Sequence, residues 1–206
     1  MDGSLLRIAA LCAALAVCEL PAAQEESEPL PIAWEAESFA LDRKSNLLTF
    51  EGLRLTHGEL ELSADSAVAT GLDSGSEWQF SGHVRVVVGN ALLEADSARF
   101  TFGEGELALA ELVGDPATFT DTSPERDEPA VGGANLLAYD YAARTLRLSD
   151  GARLRVGQNE IRGCDLIYDF AEGQVLSGSS TCGERFSITI VPPAEDEPAS
   201  GADRSP

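Results

Sequence analysis

Three short apolar runs in this chain close on a glycine and then resume as strict alternation. Leu47-Leu48-Thr49-Phe50-Glu51-Gly52 leads into Leu53-Arg54-Leu55, and Trp78-Gln79-Phe80-Ser81-Gly82 leads into Val84-Arg85-Val86. Leu146-Arg147-Leu148-Ser149-Asp150-Gly151 leads likewise into Leu154-Arg155-Val156. A period of two puts one face of an extended chain in a core and the other in water. A glycine at the same place in each run predicts a bulge or a tight bend. Pro and Gly interrupt every window long enough for a helix beyond the N-terminal leader. The chain is therefore expected to be all-β: an open antiparallel stack of roughly 14 to 18 short strands, at five to six residues each.

A second phrase recurs between these runs. Ala36-Glu37-Ser38, Ala64-Asp65-Ser66, Ala95-Asp96-Ser97, Ala134-Asn135-Leu136 and Gly163-Cys164-Asp165 start 28, 31, 39 and 29 positions apart. A spacing of this size marks stacked supersecondary units. The longest gap holds a Pro- and charge-rich loop at Thr120–Gly133. A stack of strands that does not close leaves two edges. Ile32–Leu41 and Phe186–Val191 are the expected edge regions, and Pro192-Pro193 stops the ladder.

The 206 residues carry 14 Lys+Arg against 35 Asp+Glu, a net charge of −21. Binding to phosphate backbones needs Lys and Arg, so this balance argues against a nucleic-acid partner. An anionic membrane surface repels such a chain for the same reason. At the N-terminus an apolar stretch from Ile8 to Cys18 follows Arg7 and runs into Pro21-Ala22-Ala23. It is too short to span a bilayer and suits the core of a signal peptide. Cleavage near Ala23 is expected, with lipidation at Cys18 as the competing reading. The expected division is a signal peptide at 1–23, one β domain at 24–193 and a disordered acidic tail at 194–206. Loss of the leader removes Cys12 and Cys18, and two thiols in an exported chain suggest one disulfide, Cys164–Cys182.

Catalytic and metal chemistry find little support. The recurring acids Glu37, Asp65 and Asp96 sit once per repeat, which suits strand starts or a solvated face better than a carboxylate pair. His57 and His83 have no Ser/His/Asp or His-Glu-x-x-His arrangement around them. Cys164 and Cys182 lack the further ligands of a zinc site. No enzyme activity, metal or cofactor is expected.

Over Pro31–Pro193 the chain resembles the periplasmic lipopolysaccharide-transport bridge proteins, the LptA or OstA-like family. The residues that carry the resemblance are PIAWEAESFALDRKSNLLTFEGLRLTHGELELSADSAV, GDPATF at Gly114–Phe119, LRLSDGARLRVGQNEIRGCDLIYD and the terminal ITIVPP. The order and spacing of these stretches carry it rather than one motif. The segment Glu77–Leu112 reads as an insertion relative to shorter members. The resemblance implies an open antiparallel β-jellyroll, a trough whose apolar interior holds the acyl chains of lipopolysaccharide. It implies transport across the periplasm from inner to outer membrane, for outer-membrane assembly. It also implies an LptC-like inner-membrane partner, an LptD-like outer-membrane partner and head-to-tail self-association through edge strands. The candidate lining is Leu48, Phe50, Leu55, Leu60, Leu62, Trp78, Phe80, Val84, Val86, Leu107, Leu109, Leu146, Leu148, Leu154 and Val156. Alternation alone serves the core of a closed sandwich equally well. The competing reading is therefore a structural β module that assembles edge to edge without lipid.

Overall fold

The computed structural model describes residues 33–71, 77–103, 106–124, 127–178 and 185–192. The expected leader (1–23), the tail (194–206) and Cys182 lie outside the described residues. Among the described residues there is no helix, and twelve strands form one antiparallel sheet. Eight long strands follow one another as hairpins: β3 (Leu47–His57), β4 (Leu60–Thr70), β5 (Glu77–Val88), β6 (Ala91–Gly103), β7 (Glu106–Asp121), β8 (Ala130–Asp140), β9 (Thr145–Val156) and β10 (Asn159–Asp169). The short strands β1 (Ala33–Glu35) and β2 (Ser38–Asp42) both pair with β3. At the other end β11 (Gln174–Ser177) and β12 (Ser187–Thr189) both pair with β10. The sheet does not close on itself; β1, β2 and β12 fall in the regions expected to be edges, and β11 shares the second edge with β12.

Against the expected 14 to 18 short strands the described residues form twelve, most of them eleven to sixteen residues long. The glycines that punctuate the sequence do not end strands. Gly52, Gly82 and Gly151 sit inside β3, β5 and β9 at φ of 62°, 76° and 81°, and the chain turns a corner there and continues. Only glycine adopts that left-handed backbone without strain.

The recurring phrase marks the same corner on the neighbouring strands. In β4 the inward residues are Leu60, Leu62 and Ala64, and then Ala67 and Ala69. The step of three across Asp65-Ser66 is a bulge that shifts the alternation by one residue. β6 makes the same step from Ala95 to Ala98 across Asp96-Ser97, and β8 makes it from Ala134 to Leu137. The register shifts line up from strand to strand. They form one crease across the sheet. Small alanines occupy its inner side, where two halves of the sheet converge. Acids and amides occupy its outer side.

The crease divides every long strand into two arms, so the sheet forms two leaves. Tyr168 on the second leaf reaches Asp121 on the first, although β10 and β7 are not neighbours. Phe119 meets Tyr168 across the same gap, with ring centroids 5.4 Å apart. Near the other end Trp34, opposite Leu55 on the first leaf, packs on Trp78 of the second at 4.6 Å. A single sheet thus buries its own core between its halves. Large side chains fully out of water there each contribute about 1.5–3 kcal/mol.

Candidate functional site

The space between the leaves is where the expected lining residues meet. Phe50, Leu55, Leu60, Leu62, Trp78, Phe80, Val84, Val86, Leu107, Leu146, Leu148 and Leu154 are all buried in it. Leu48 and Val156 are half-buried against the same core. Leu109 is the exception and is corrected here: it is 37% exposed, on the outer face. The register between β6 and β7 pairs Phe102 with Leu107 but Thr101 with Leu109, so Ala108 is an extra residue. That bulge flips the phase, and Ala110 and Leu112 take the inward places instead.

Several lining residues lie beyond the reach of the alternating triplets that flagged the others. Leu93, Phe100, Phe119, Leu137 and Tyr168 are all at most 1% exposed, as is Leu53 of the first triplet. Leu137 follows the recurring phrase by a step of three from Ala134, and Phe100 follows by that step and one further alternation, through Ala98. Applying that step to every copy of the phrase would have found them.

The apolar lining does not stop at the core. On the edge strand β2, Phe39 pairs with Phe50 and Leu41 with Leu48, so both face the interior, yet they are 72% and 47% exposed. At the opposite edge Ile188 pairs with Ile161, which packs on the core, and is 63% exposed. Cross-strand partners share a face of a sheet. The apolar inner face is therefore left uncovered at both edges of the sheet, at Phe39 and Leu41 and at Ile188.

Opposite the crease, the tips of the leaves border a cavity of about 350 Å³, with Val88, Tyr139, Tyr141, Phe170, Arg144 and Asp121 on its walls. Asp121 is buried and accepts hydrogen bonds from the Tyr168 hydroxyl at 2.8 Å and from the Ser123 amide at 3.0 Å. Burial pushes the Tyr139 hydroxyl above its ordinary value, so it stays protonated in neutral solution. Because the Tyr168–Asp121 bond ties the leaves together, Tyr168→Phe is expected to cost about 1–3 kcal/mol. Denaturant unfolding measures that loss, and amide exchange in the tip of β7 is expected to rise with it.

On the outside of the crease, polar side chains cover the bends. A Cβ at Gly82 would collide with the Asp65 carboxylate, and one at Gly52 would lie 2.6 Å from the Glu37 side chain. His83 Nδ1 is 2.7 Å from Asp65 Oδ2. That hydrogen bond and the charge of Asp65 raise the imidazole above its ordinary pKa of 6.5. A raised folded-state value means stabilisation that is complete below pH 6.5 and disappears as pH rises through the folded pKa. Both groups are exposed, so the effect on stability is small, and the titration itself is the measurement. In Asp65→Asn the His83 ring resonances are expected to titrate at lower pH than in the parent chain. Among the described residues no group of three or more His, Cys, Asp or Glu side chains is placed to hold a metal ion.

Comparison with known proteins agrees with this geometry. Residues 68–174, just over half of the chain, match the family described as LptA/(LptD N-terminal domain) LPS transport protein. Among solved structures, LptH of Pseudomonas aeruginosa, the LptA-homologous periplasmic component of the lipopolysaccharide transport device, matches with a TM-score of 0.53. Identity to it is 18%, over 79% of this chain and 96% of that one, a likeness of fold. A search of curated protein sequences found no match. The matched span runs from the last residues of β4 to the start of β11 and so contains β5 to β10, with their part of the crease and of both leaves. This chain belongs to the LptA/LptD N-terminal domain family of lipopolysaccharide transport proteins.

Proposed function

We propose that the chain carries lipopolysaccharide across the periplasm from inner to outer membrane, with the lipid A acyl chains between its two leaves. The observation that carries this reading is the apolar inner face left uncovered at both edges of the sheet, at Phe39 and Leu41 and at Ile188. A core built for stability alone gains nothing from exposed apolar ends, whereas a conduit needs them. Each methylene kept out of water is worth about 0.8 kcal/mol, so a continuous lining removes the main barrier to moving lipid through an aqueous space. The leaves touch at Trp34–Trp78 and Phe119–Tyr168, so acyl chains enter by parting them.

The same edges are suited to partners. Their free strand sides and exposed apolar residues favour strand addition by an LptC-like protein at one end and an LptD-like protein at the other, or by further copies of the chain. Export through a cleaved leader at 1–23 and a Cys164–Cys182 disulfide complete the proposal. Cys164 stands on β10 at the crease.

The two tryptophans, Trp34 and Trp78, report on the interior directly, since they touch across the leaves. Titration with intact lipopolysaccharide is expected to give a saturable change in tryptophan emission, and the fully deacylated form is expected to give none. No change with the intact lipid, or an equal change with both, would count against the reading. The packing of the leaves on each other favours the second reading, an edge-stacking module without lipid, and that outcome would select it.

A further inference from the structure

The outer face of the first leaf carries one continuous cross-strand row: Glu35, Arg54, Ser63, Arg85, Glu94, Thr118, Gly133, Arg153, Arg162 and Ser187. At its N-terminal end each arginine has an acid beside it, Glu35 for Arg54 and Glu94 for Arg85. At the other end Arg153 stands directly opposite Arg162, and Arg155 lies two residues on, on the same face. Arg162 is neutralised by Glu160, which accepts from Nε at 2.9 Å and from Nη2 at 2.8 Å. Arg155 stands directly opposite that same Glu160, and the charges of Arg153 and Arg155 both act on it, so one carboxylate answers three arginines. Like charges directly opposite each other destabilise a sheet. In a chain with 35 acids an excess of arginine over carboxylate at one spot of the ladder points to an external anion.

The backbone supplies the space. Gly133 sits in the row between Thr118 and Arg153 and borders a hollow of about 470 Å³. A Cβ there would lie 2.8 Å from the Ala117 carbonyl oxygen. Thr118 forms one wall, Arg153 and Arg155 the other, and Asn135, Asp115 and Glu160 complete the rim. A bare anion would leave most of that volume empty and would face the two carboxylates. A phosphorylated sugar fits the mixture: guanidinium forks take phosphate oxygens, while carboxylate, amide and hydroxyl oxygens accept from sugar hydroxyls.

We infer that this hollow is a phosphosugar-binding site on the outside of the trough, separate from the interior and independent of whether acyl chains occupy it. Its ligand is a free sugar phosphate or the phosphorylated sugar head of a lipid. The test is a titration of the full exported chain at 0.15 M salt with glucose 1-phosphate, read from the arginine Nε–Hε resonances. Saturable shifts are expected at Arg153 and Arg155, with Arg54 and Arg85 still, and glucose or inorganic phosphate alone is expected to bind at least tenfold more weakly. The variant Arg153→Gln/Arg155→Gln is expected to lose at least tenfold in affinity, whereas Arg54→Gln keeps the parent affinity. Shifts that grow linearly across all exposed arginines, or equal responses to glucose 1-phosphate and inorganic phosphate, would overturn the site. Competition between glucose 1-phosphate and lipopolysaccharide for the same resonances assigns the ligand to the lipid head. Saturable binding without competition assigns it to a soluble sugar phosphate.

Discussion

Phe119→Ala is expected to cost about 3–5 kcal/mol of folding stability, the usual loss for emptying a buried aromatic site. Phe119 is 1% exposed and stands where the leaves converge, against Tyr168 at 5.4 Å and Phe170 at 6.3 Å. Beneath it lies Gly132, where a Cβ would strike the Phe119 ring and come within 2.7 Å of the Arg153 carbonyl oxygen. The site cannot collapse easily, because the rings around it stand on two hydrogen-bonded leaves of one sheet. A domain of this size is stable by roughly 5–15 kcal/mol, so the variant is expected to lose a large share of it. Urea unfolding would show a lower midpoint with an unchanged slope. A loss below about 1 kcal/mol would mean that the leaves are not in contact there.

The second large effect is expected at the ion pair that joins β9 to β10 beside the crease. Asp165 is buried, and Arg147 donates to it from Nε at 2.8 Å and from Nη2 at 2.5 Å, with the Ser149 hydroxyl at 3.4 Å. The hydrogen bond and charge of Asp165 raise Arg147 above its ordinary value, so the pair stays charged at every accessible pH above the carboxylate range. Arg147→Met leaves a buried carboxylate without its main partner. Removal of one member of a buried pair costs about 3–5 kcal/mol. Arg147 is itself 46% exposed, and solvent screening discounts that figure to about 2–3 kcal/mol. Arg147→Met is expected to recover stability as pH falls and Asp165 takes up a proton, while the parent chain is not. Parallel pH profiles for the two chains would contradict the assignment.

Much of this architecture is legible in the sequence because its two devices are local. The alternation of Leu53-Arg54-Leu55 and the glycine before it are written in adjacent residues, as is the Ala-Asp-Ser phrase at each bend. Family membership rests instead on a resemblance carried by the order and spacing of several stretches along the whole chain. What was missed is non-local. Nothing near Phe119 announces Tyr168, nearly fifty positions away, because their contact exists only once the crease folds one leaf over the other. Leu109 was misplaced because a one-residue bulge at Ala108 inverts the pattern without changing its appearance. Strands were counted too generously because a glycine corner looks like a strand end until the register shows the chain continuing through it.

Photocrosslinking in cells tests the central claim most directly, with probes at Phe50 and Phe80 in the interior and a control probe at Arg54 on the outer face. Adducts with lipopolysaccharide at both interior probes and none at Arg54 are the predicted result. A folded, exported protein that forms no adduct at Phe50 or Phe80, or forms them equally at Arg54, would contradict lipid transport between the leaves.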